Sequence, residues 1–243
     1  MAVIKRIVIL ANSIKNSGRC LAGKELLFNN GKWEVGPWIR IVASEKGAEV
    51  PLGLMLEQFG RTIKLLDVID IPMEAAAPLP DQPENWLLVR RAKWRDRGTV
   101  PLDDARRLLD HPLKLWGNHD RSVPSGFVQE MPEPASLYFI EPEAVGPVRI
   151  WTDQGVDAGG SRFDRHHRRI SLRYRAISHE FAVTDPALQE KCFPDLPERG
   201  EPERKIEISL GGPTCVCISV TPEWRGKHYK IAAGFIRTEN STA

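Results

Sequence analysis

Long hydrophobic runs are missing from this sequence. No stretch approaches the roughly 20 consecutive apolar residues that a membrane-spanning helix needs. The run Ile7 to Ala11, behind the basic start Met1-Ala2-Val3-Ile4-Lys5-Arg6, is too short for the core of a secretory signal. Cysteine is scarce, at Cys20, Cys192, Cys215 and Cys217 only. Without a secretory context such residues read as thiols and not as a disulfide framework. The expectation is a soluble, cytoplasmic chain with no membrane partner. Charge of one sign is lacking too: 34 Lys+Arg stand against 32 Asp+Glu, a net +2. That total does not point to nucleic acid, so any phosphate-binding face has to come from the local distribution of charge. No repeat of fixed period and no low-complexity tract interrupts the chain.

Signatures of common enzymes are also absent. There is no Gly-x-Ser-x-Gly elbow and no Gly-x-x-x-x-Gly-Lys phosphate loop, and no cysteine stands in a catalytic signature. Gly117-Asn118-His119-Asp120 is similar to one signature of the calcineurin-like metallophosphoesterases. Those enzymes hold two metals, which need about six ligands or more. The companion motifs Asp-x-His, Gly-Asp-x-x-Asp and Gly-His-x-His are missing, and Gly226-Lys227-His228 does not complete the last of them. His166 and His167 are adjacent, so a strand would point them to opposite faces. Cys215 and Cys217 would share one face and read as small buried hydrophobes. The chain is therefore expected to need no cofactor or metal and to catalyse no reaction, with a phosphoesterase at Asn118, His119 and Asp120 as the remote alternative.

The chain of 243 residues is 42% hydrophobic and 27% charged, enough to bury a core without staples. Ile4 to Leu10 is β-branched and nearly continuously apolar, a buried first strand. Trp38-Ile39-Arg40-Ile41-Val42 follows the turn pair Gly36-Pro37, and Ile63 to Ile71 reads as a further strand closed by Pro72. Residues 74–84, with Pro78, Pro80 and Pro83, read as a linker or an extended crossing segment. A helix is expected from Thr99 as N-cap, with Pro101, Asp103 and Asp104 in its first turn, ending before Pro112. Seven short strand patterns then follow: Ser136–Ile140, Val148–Thr152, Ile170–Tyr174, Phe181–Thr184, Ile206–Leu210, Thr214–Val220 and Tyr229–Ile236. Such spacing suggests a small barrel or sandwich. Pro124, Gly126, Pro132 and Pro134 mark a boundary, giving expected domains of residues 1–122 and 123–243.

Arg162 to Arg175 is the most basic stretch. From Arg169 the order Arg-Ile-Ser-Leu-Arg-Tyr-Arg alternates, so a strand sends Ile170, Leu172 and Tyr174 to a core. Arg169, Ser171, Arg173 and Arg175 then face solvent. That face, with Arg168 beside it, suits a phosphate backbone. It also suits a solubilising surface paired with neighbouring acids. Lys15, Arg19 and Lys24, followed by Trp38 and Arg40, form a second basic–aromatic group that would serve as a stacking platform for unpaired bases. The alternative is that Trp38 belongs to the core. A third group joins Trp86 and Trp94 with Arg90, Arg91, Lys93, Arg95 and Arg97.

The order of several segments resembles the dual OB-containing domain of bacterial proteins linked to biological conflict and phage defence. The matching stretches are Ser13-Ile14-Lys15 with Gly18-Arg19-Cys20-Leu21-Ala22-Gly23, Trp38-Ile39-Arg40, Leu66 to Pro72, and Gln82-Pro83-Glu84-Asn85-Trp86. In the second half they are Trp116-Gly117-Asn118-His119, Phe181 to Pro186, Cys217-Ile218-Ser219-Val220 and Tyr229 to Ala233. The resemblance extends over nearly the whole chain, from about residue 4 to 236. The resemblance implies a mostly β protein with minor α: two small OB-like β-barrels joined by a short helical linker. By analogy it implies binding of DNA or RNA, as a single strand or a structured end, and carries over no catalytic residue. The expected nucleic-acid-binding residues are Lys15, Arg19, Trp38, Arg40, Trp86, Arg168, Arg169, Arg173 and Arg175. The other reading is an adaptor or sensor that docks a partner such as a defence effector from the same operon through a barrel edge.

Overall fold

A computed structural model describes residues 2–15, 18–117, 120–157, 159–192, 196–206 and 214–237. The protein is mostly β, and its strands form two sheets among these residues.

The first sheet contains β1 (Val3–Lys15), β2 (Gly18–Asn29), β3 (Lys32–Val42), β4 (Val50–Pro51), β5 (Asp67–Ala76), β6 (Asn85–Leu88) and β7 (Arg95–Thr99). Five of these strands close a ring in the order β1-β2-β3-β6-β5-β1. All pairs are antiparallel except β3 with β6. β1 can serve both edges because it is long and irregular. Its first half pairs with β5 over Val3 to Val8, its second half pairs with β2 from Ile7 onward, and a register shift falls between Ile9 and Ala11. Gly23 allows the closure, since a Cβ there would stand 1.9 Å from the Val8 carbonyl oxygen. Ile7, Ile9, Leu21, Ile39, Ile41, Ile69 and Ile71 fill the interior. Helix α1 (Leu52–Phe59), between β3 and β5, adds Met55 to that core. The pattern of α1 was not legible in the sequence, and Ile63 to Leu66 precedes β5 instead of belonging to it.

A 3-10 helix, Leu102–Leu108, follows the first barrel. The helix expected here exists, but Thr99 is the last residue of β7 and not its cap. Pro101 is the residue that precedes the first turn, and Asp103 and Asp104 lie within that turn. Ala105 and Leu108 are buried.

The second sheet contains β8 (Ser122–Pro124), β9 (Leu137–Ile140), β10 (Ala144–Val156), β11 (Arg162–Tyr174), β12 (Ile177–Val183), β13 (Arg204–Ile206), β14 (Thr214–Val220) and β15 (Lys227–Arg237), with α2 (Pro186–Cys192) after β12. The order is β13-β10-β11-β12-β15-β14-β9, with β12 and β15 parallel. The chain passes from β9 on one side directly into β10 on the other through Glu141-Pro142-Glu143. β9 and β10 together therefore repeat the role of β1, and α2 sits where α1 sits in the first barrel. This is the five-stranded Greek-key arrangement of the OB fold, present twice. Ile150, Ile170, Leu172, Phe181, Val216 and Ile218 build the second core.

A third apolar cluster joins the barrels. Val8, Leu10, Ala22 and Val68 of the first meet Leu137, Phe139, Cys215, Cys217, Ala233 and Ile236 of the second. Burying side chains of this size contributes about 1.5–3 kcal/mol each for the larger ones. Cys20, Cys215 and Cys217 are free thiols. Cys215 and Cys217 face the same way, as alternation requires, and burial pushes the Cys215 thiol up to about 12. Gly234 lets the backbones meet: a Cβ on it would stand 2.6 Å from the Leu10 carbonyl oxygen. Among the described residues, no helix is long and apolar enough to cross a membrane.

Candidate nucleic-acid interface

OB barrels bind ligands on the outer face of their second and third strands and on the adjoining loops. In the first barrel these strands are β2 and β3. Leu21, Ile39 and Ile41 point inward, so Ala22, Lys24, Trp38 and Arg40 form the outer row. The second barrel covers that row. Arg40, only 7% exposed, donates to the Ser136 hydroxyl at 2.7 Å and the Ser219 hydroxyl at 3.1 Å. Ser136 in turn donates from its hydroxyl and its backbone N–H to the Glu84 carboxylate, at 2.8 and 2.6 Å. Asp110 accepts from Lys24 at 2.6 Å and from the Trp38 indole at 3.0 Å. Trp38 and Arg40 are thus part of the seam between the barrels, and the expected stacking platform is not open to a ligand.

The other expected site residues also separate. Trp86 packs on the first core with the Lys5 ammonium 4.2 Å from its ring centroid. Lys15 pairs with Glu49 at 3.7 Å, and Arg19 lines a cleft between the barrels. The third basic–aromatic group does not assemble. Trp94 is buried, Arg97 binds Asp70 at 2.7 Å, and the Arg90 guanidinium donates to the Ala43 carbonyl. Arg168 shares the parity of Ile170 and Leu172, so it leaves the face of Arg169 and Arg173. Arg175 lies in the β11–β12 turn at φ 49°, its guanidinium over the Tyr174 ring.

The equivalent strands of the second barrel, β11 and β12, keep their outer face open together with β10. Alternation on β11 is as the sequence reading has it: Ile170, Leu172 and Tyr174 go to the core and Ser171 and Arg173 are exposed. The arginines, however, are neutralised in part. Arg165 forms a two-pronged bond to Asp153 at 2.8 and 3.0 Å, and Arg173 pairs with Glu143 at 3.2 Å. Around Glu180 the balance is different. Arg121 lies 2.6 Å from this carboxylate, Arg149 donates to it, and Arg169 is 3.7 Å away. Arg149 also reaches Glu203 at 3.4 Å. Burial holds Arg169 below the ordinary guanidinium value; Glu180 pulls the other way, and Arg121 and Arg149 lower it further. The Arg169 Nη1 is buried without an acceptor among the described residues.

An aromatic pair stands on the same row. Trp151 and His167 stack with ring centroids 4.6 Å apart and planes 13° from parallel. His167 also bonds Asp153 at 3.0 Å. Arg165 holds the Asp153 carboxyl below the usual range, with His167 contributing. Burial lowers the His167 imidazole against the attraction of Asp153. His166 bonds Thr152 at 2.8 Å on the opposite face, as adjacent strand residues must. In the loop after β14, Trp224 is 54% exposed, with the Arg225 guanidinium 4.4 Å from its ring and Tyr229 at 5.9 Å.

A family model described as the dual OB-containing domain matches residues 5–235. The chain belongs to the dual OB-containing domain family. No curated protein matches it. In this dual OB chain the two barrels differ: among the described residues, one buries the outer face of its second and third strands and the other displays it. Arg121, Arg149, Trp151, Trp224 and Tyr229 were missed in the sequence reading. The alternation Arg149-x-Trp151-x-Asp153 carried a signal that could have found two of them, because it matches the outward parity of Arg165, His167 and Arg169 on the neighbouring strand. Arg121 had no such signal. Asn118 and His119 lie outside the described residues, as does the Cys192 side chain. Among the described residues, no group of three His, Cys, Asp or Glu side chains is placed to hold a metal ion.

Proposed function

We propose that this chain is a non-catalytic module that binds single-stranded nucleic acid across β10, β11 and β12. The observation that carries the reading is the convergence of Arg121, Arg149 and Arg169 on the single Glu180 carboxylate, beside the Trp151–His167 stack, on the open OB face. Three guanidinium groups against Glu180 and Glu203 leave a net positive charge for phosphate oxygens, and guanidinium geometry suits phosphate. Trp151, and Trp224 at the rim, offer faces for unpaired bases. Groups already in place lose less freedom when a strand arrives.

The test is fluorescence anisotropy with short DNA and RNA oligonucleotides over a salt series. Affinity should fall steeply as salt rises. Arg149→Ala and Arg169→Ala should each weaken binding by roughly 3- to 30-fold and flatten the salt dependence, while Trp151→Ala should cost about 1–3 kcal/mol with the slope kept. No binding at low salt ends this reading.

A protein-docking adaptor, serving an effector in bacterial defence, is the second reading. It is favoured by exposed apolar residues at one end of the first barrel: Val3, Ile4, Phe28, Trp33 and Val35. Phe28 and Trp33 contact each other across the β2–β3 hairpin at 4.9 Å. A chain with Phe28→Ser and Trp33→Ser that binds oligonucleotide normally yet loses a purified partner would favour it.

A further inference from the structure

A cleft of about 710 Å³ opens between the barrels. Asn12 and Arg19 of the first barrel, the segment Thr62 to Leu65, Asp185 to Leu188 at the start of α2, and Phe235 of β15 wall it. It shares no residue with the β10–β12 face. We propose that this cleft binds a mononucleotide: a flat heterocycle with an N–H donor, carrying an anionic phosphate.

The polar demand is specific. Asn12 is 7% exposed, and its side-chain NH2 donates to the Ile63 carbonyl at 2.8 Å. That bond fixes which side of the amide is oxygen, and the Oδ1 has no donor among the described residues. A buried amide oxygen left without a donor is costly, so a ligand N–H here gains more than an ordinary exposed bond. Nearby, the Arg19 Nε is likewise buried without an acceptor. Neither Arg19 nor Lys64 has a carboxylate within ion-pair distance among the described residues. These two cations suit a phosphate. The acids of the cleft do not cancel them directly. Asp185 is engaged by the N–H groups of Leu188, at 2.9 Å, and Phe235, at 3.2 Å, and Glu190 is exposed at the rim.

The apolar demand fits as well. Ile63, Leu65 and Leu188 give an aliphatic wall, and Phe235 gives a ring against which a heterocycle can lie. A volume of this size is within the usual range for small-ligand sites, about 300–1,000 Å³. The 5′-terminal nucleotide of a strand has the same chemistry as a free mononucleotide, so the experiment has to separate the two.

The experiment is isothermal titration of the full chain with AMP, GMP, CMP and UMP, with 5′-phosphorylated and 5′-hydroxyl oligonucleotides alongside. Saturable binding of at least one mononucleotide is expected. Arg19→Gln should weaken it by roughly 10- to 100-fold, the loss of one charge-assisted hydrogen bond. Ala187→Trp, on the exposed side of α2, should block the cleft and abolish binding with the thermal melt unchanged. Arg149→Ala should leave it intact. Dependence on a 5′-phosphorylated strand, with the same Arg19 and Ala187 sensitivity and no mononucleotide binding, overturns the free-ligand proposal in favour of a strand end. Absence of any saturable binding at millimolar concentration overturns the site altogether. So does binding that ignores Arg19→Gln and Ala187→Trp but falls with Arg149→Ala.

Discussion

Lys230 sits in β15 with no exposed surface, and burial pulls its ammonium down to about 8 from 10.5, against the attraction of Asp120. Between those two pH values the unfolded chain binds a proton that the folded chain does not. This group's contribution to stability therefore rises with pH across that window. Lys230→Met removes the dependence. In denaturant melts, its stability relative to the wild type should be greatest near pH 7 and decline by about 3 kcal/mol by pH 10.5, the shift converted at 1.36 kcal/mol per unit. A constant difference between the two proteins would contradict this. Single residues were also where sequence reading was least informative. The outward arginines of β11 were legible by parity. Their acids were not, because Glu180 comes from β12 and Glu143 from the connection between β9 and β10. Arg40 read as part of a basic–aromatic platform, and its partners lie 96 and 179 positions away.

At the scale of elements, the strands were legible wherever an apolar run fixed them. β1, β9, β11, β14 and β15 fall close to the stretches read from the sequence, with ends that extend further along polar positions. α1 was not legible, because it is short, follows Pro51 and carries Gly53. The tight connection between β11 and β12 is unusual in composition. Arg175 and Ala176 occupy its two positions with φ of 49° and 62°, the sign pattern of a type I′ turn that favours Asn-Gly. The Ala176 N–H is held by the Glu143 carboxylate, at 3.1 and 3.2 Å. Ala176→Gly relieves the steric cost of a left-handed residue and keeps that bond. It should raise stability by about 0.5–1 kcal/mol, the steric relief less the extra freedom of glycine in the unfolded chain. A fall in the denaturation midpoint would count against the turn geometry. Oligonucleotide affinity should change little, since Arg169, in the middle of β11, and Arg149, opposite it on β10, lie six residues along the strand from the turn.

At the scale of the whole molecule, the seam between barrels decides what is exposed. Two substitutions probe it. Gly234→Ala drives a methyl group against the Leu10 carbonyl and should cost about 1–3 kcal/mol. Arg40→Ala leaves Ser136 and Ser219 without their buried charged donor. It should cost about 2–4 kcal/mol in urea melts. If the seam is as described, oligonucleotide affinity of the folded Arg40→Ala chain stays within about twofold of wild type. A large loss of affinity at unchanged stability would instead return Arg40 to a ligand-contacting role.

The covering of β2 and β3 by the second barrel also sets the valency of the chain. Although it holds two OB units, among the described residues one alone presents the outer face of its second and third strands to solvent. Saturation should therefore come at one oligonucleotide per polypeptide, with a footprint of about 4–16 nucleotides, that of a single unit. Lengthening the oligonucleotide beyond that footprint should bring no avidity gain from the second barrel.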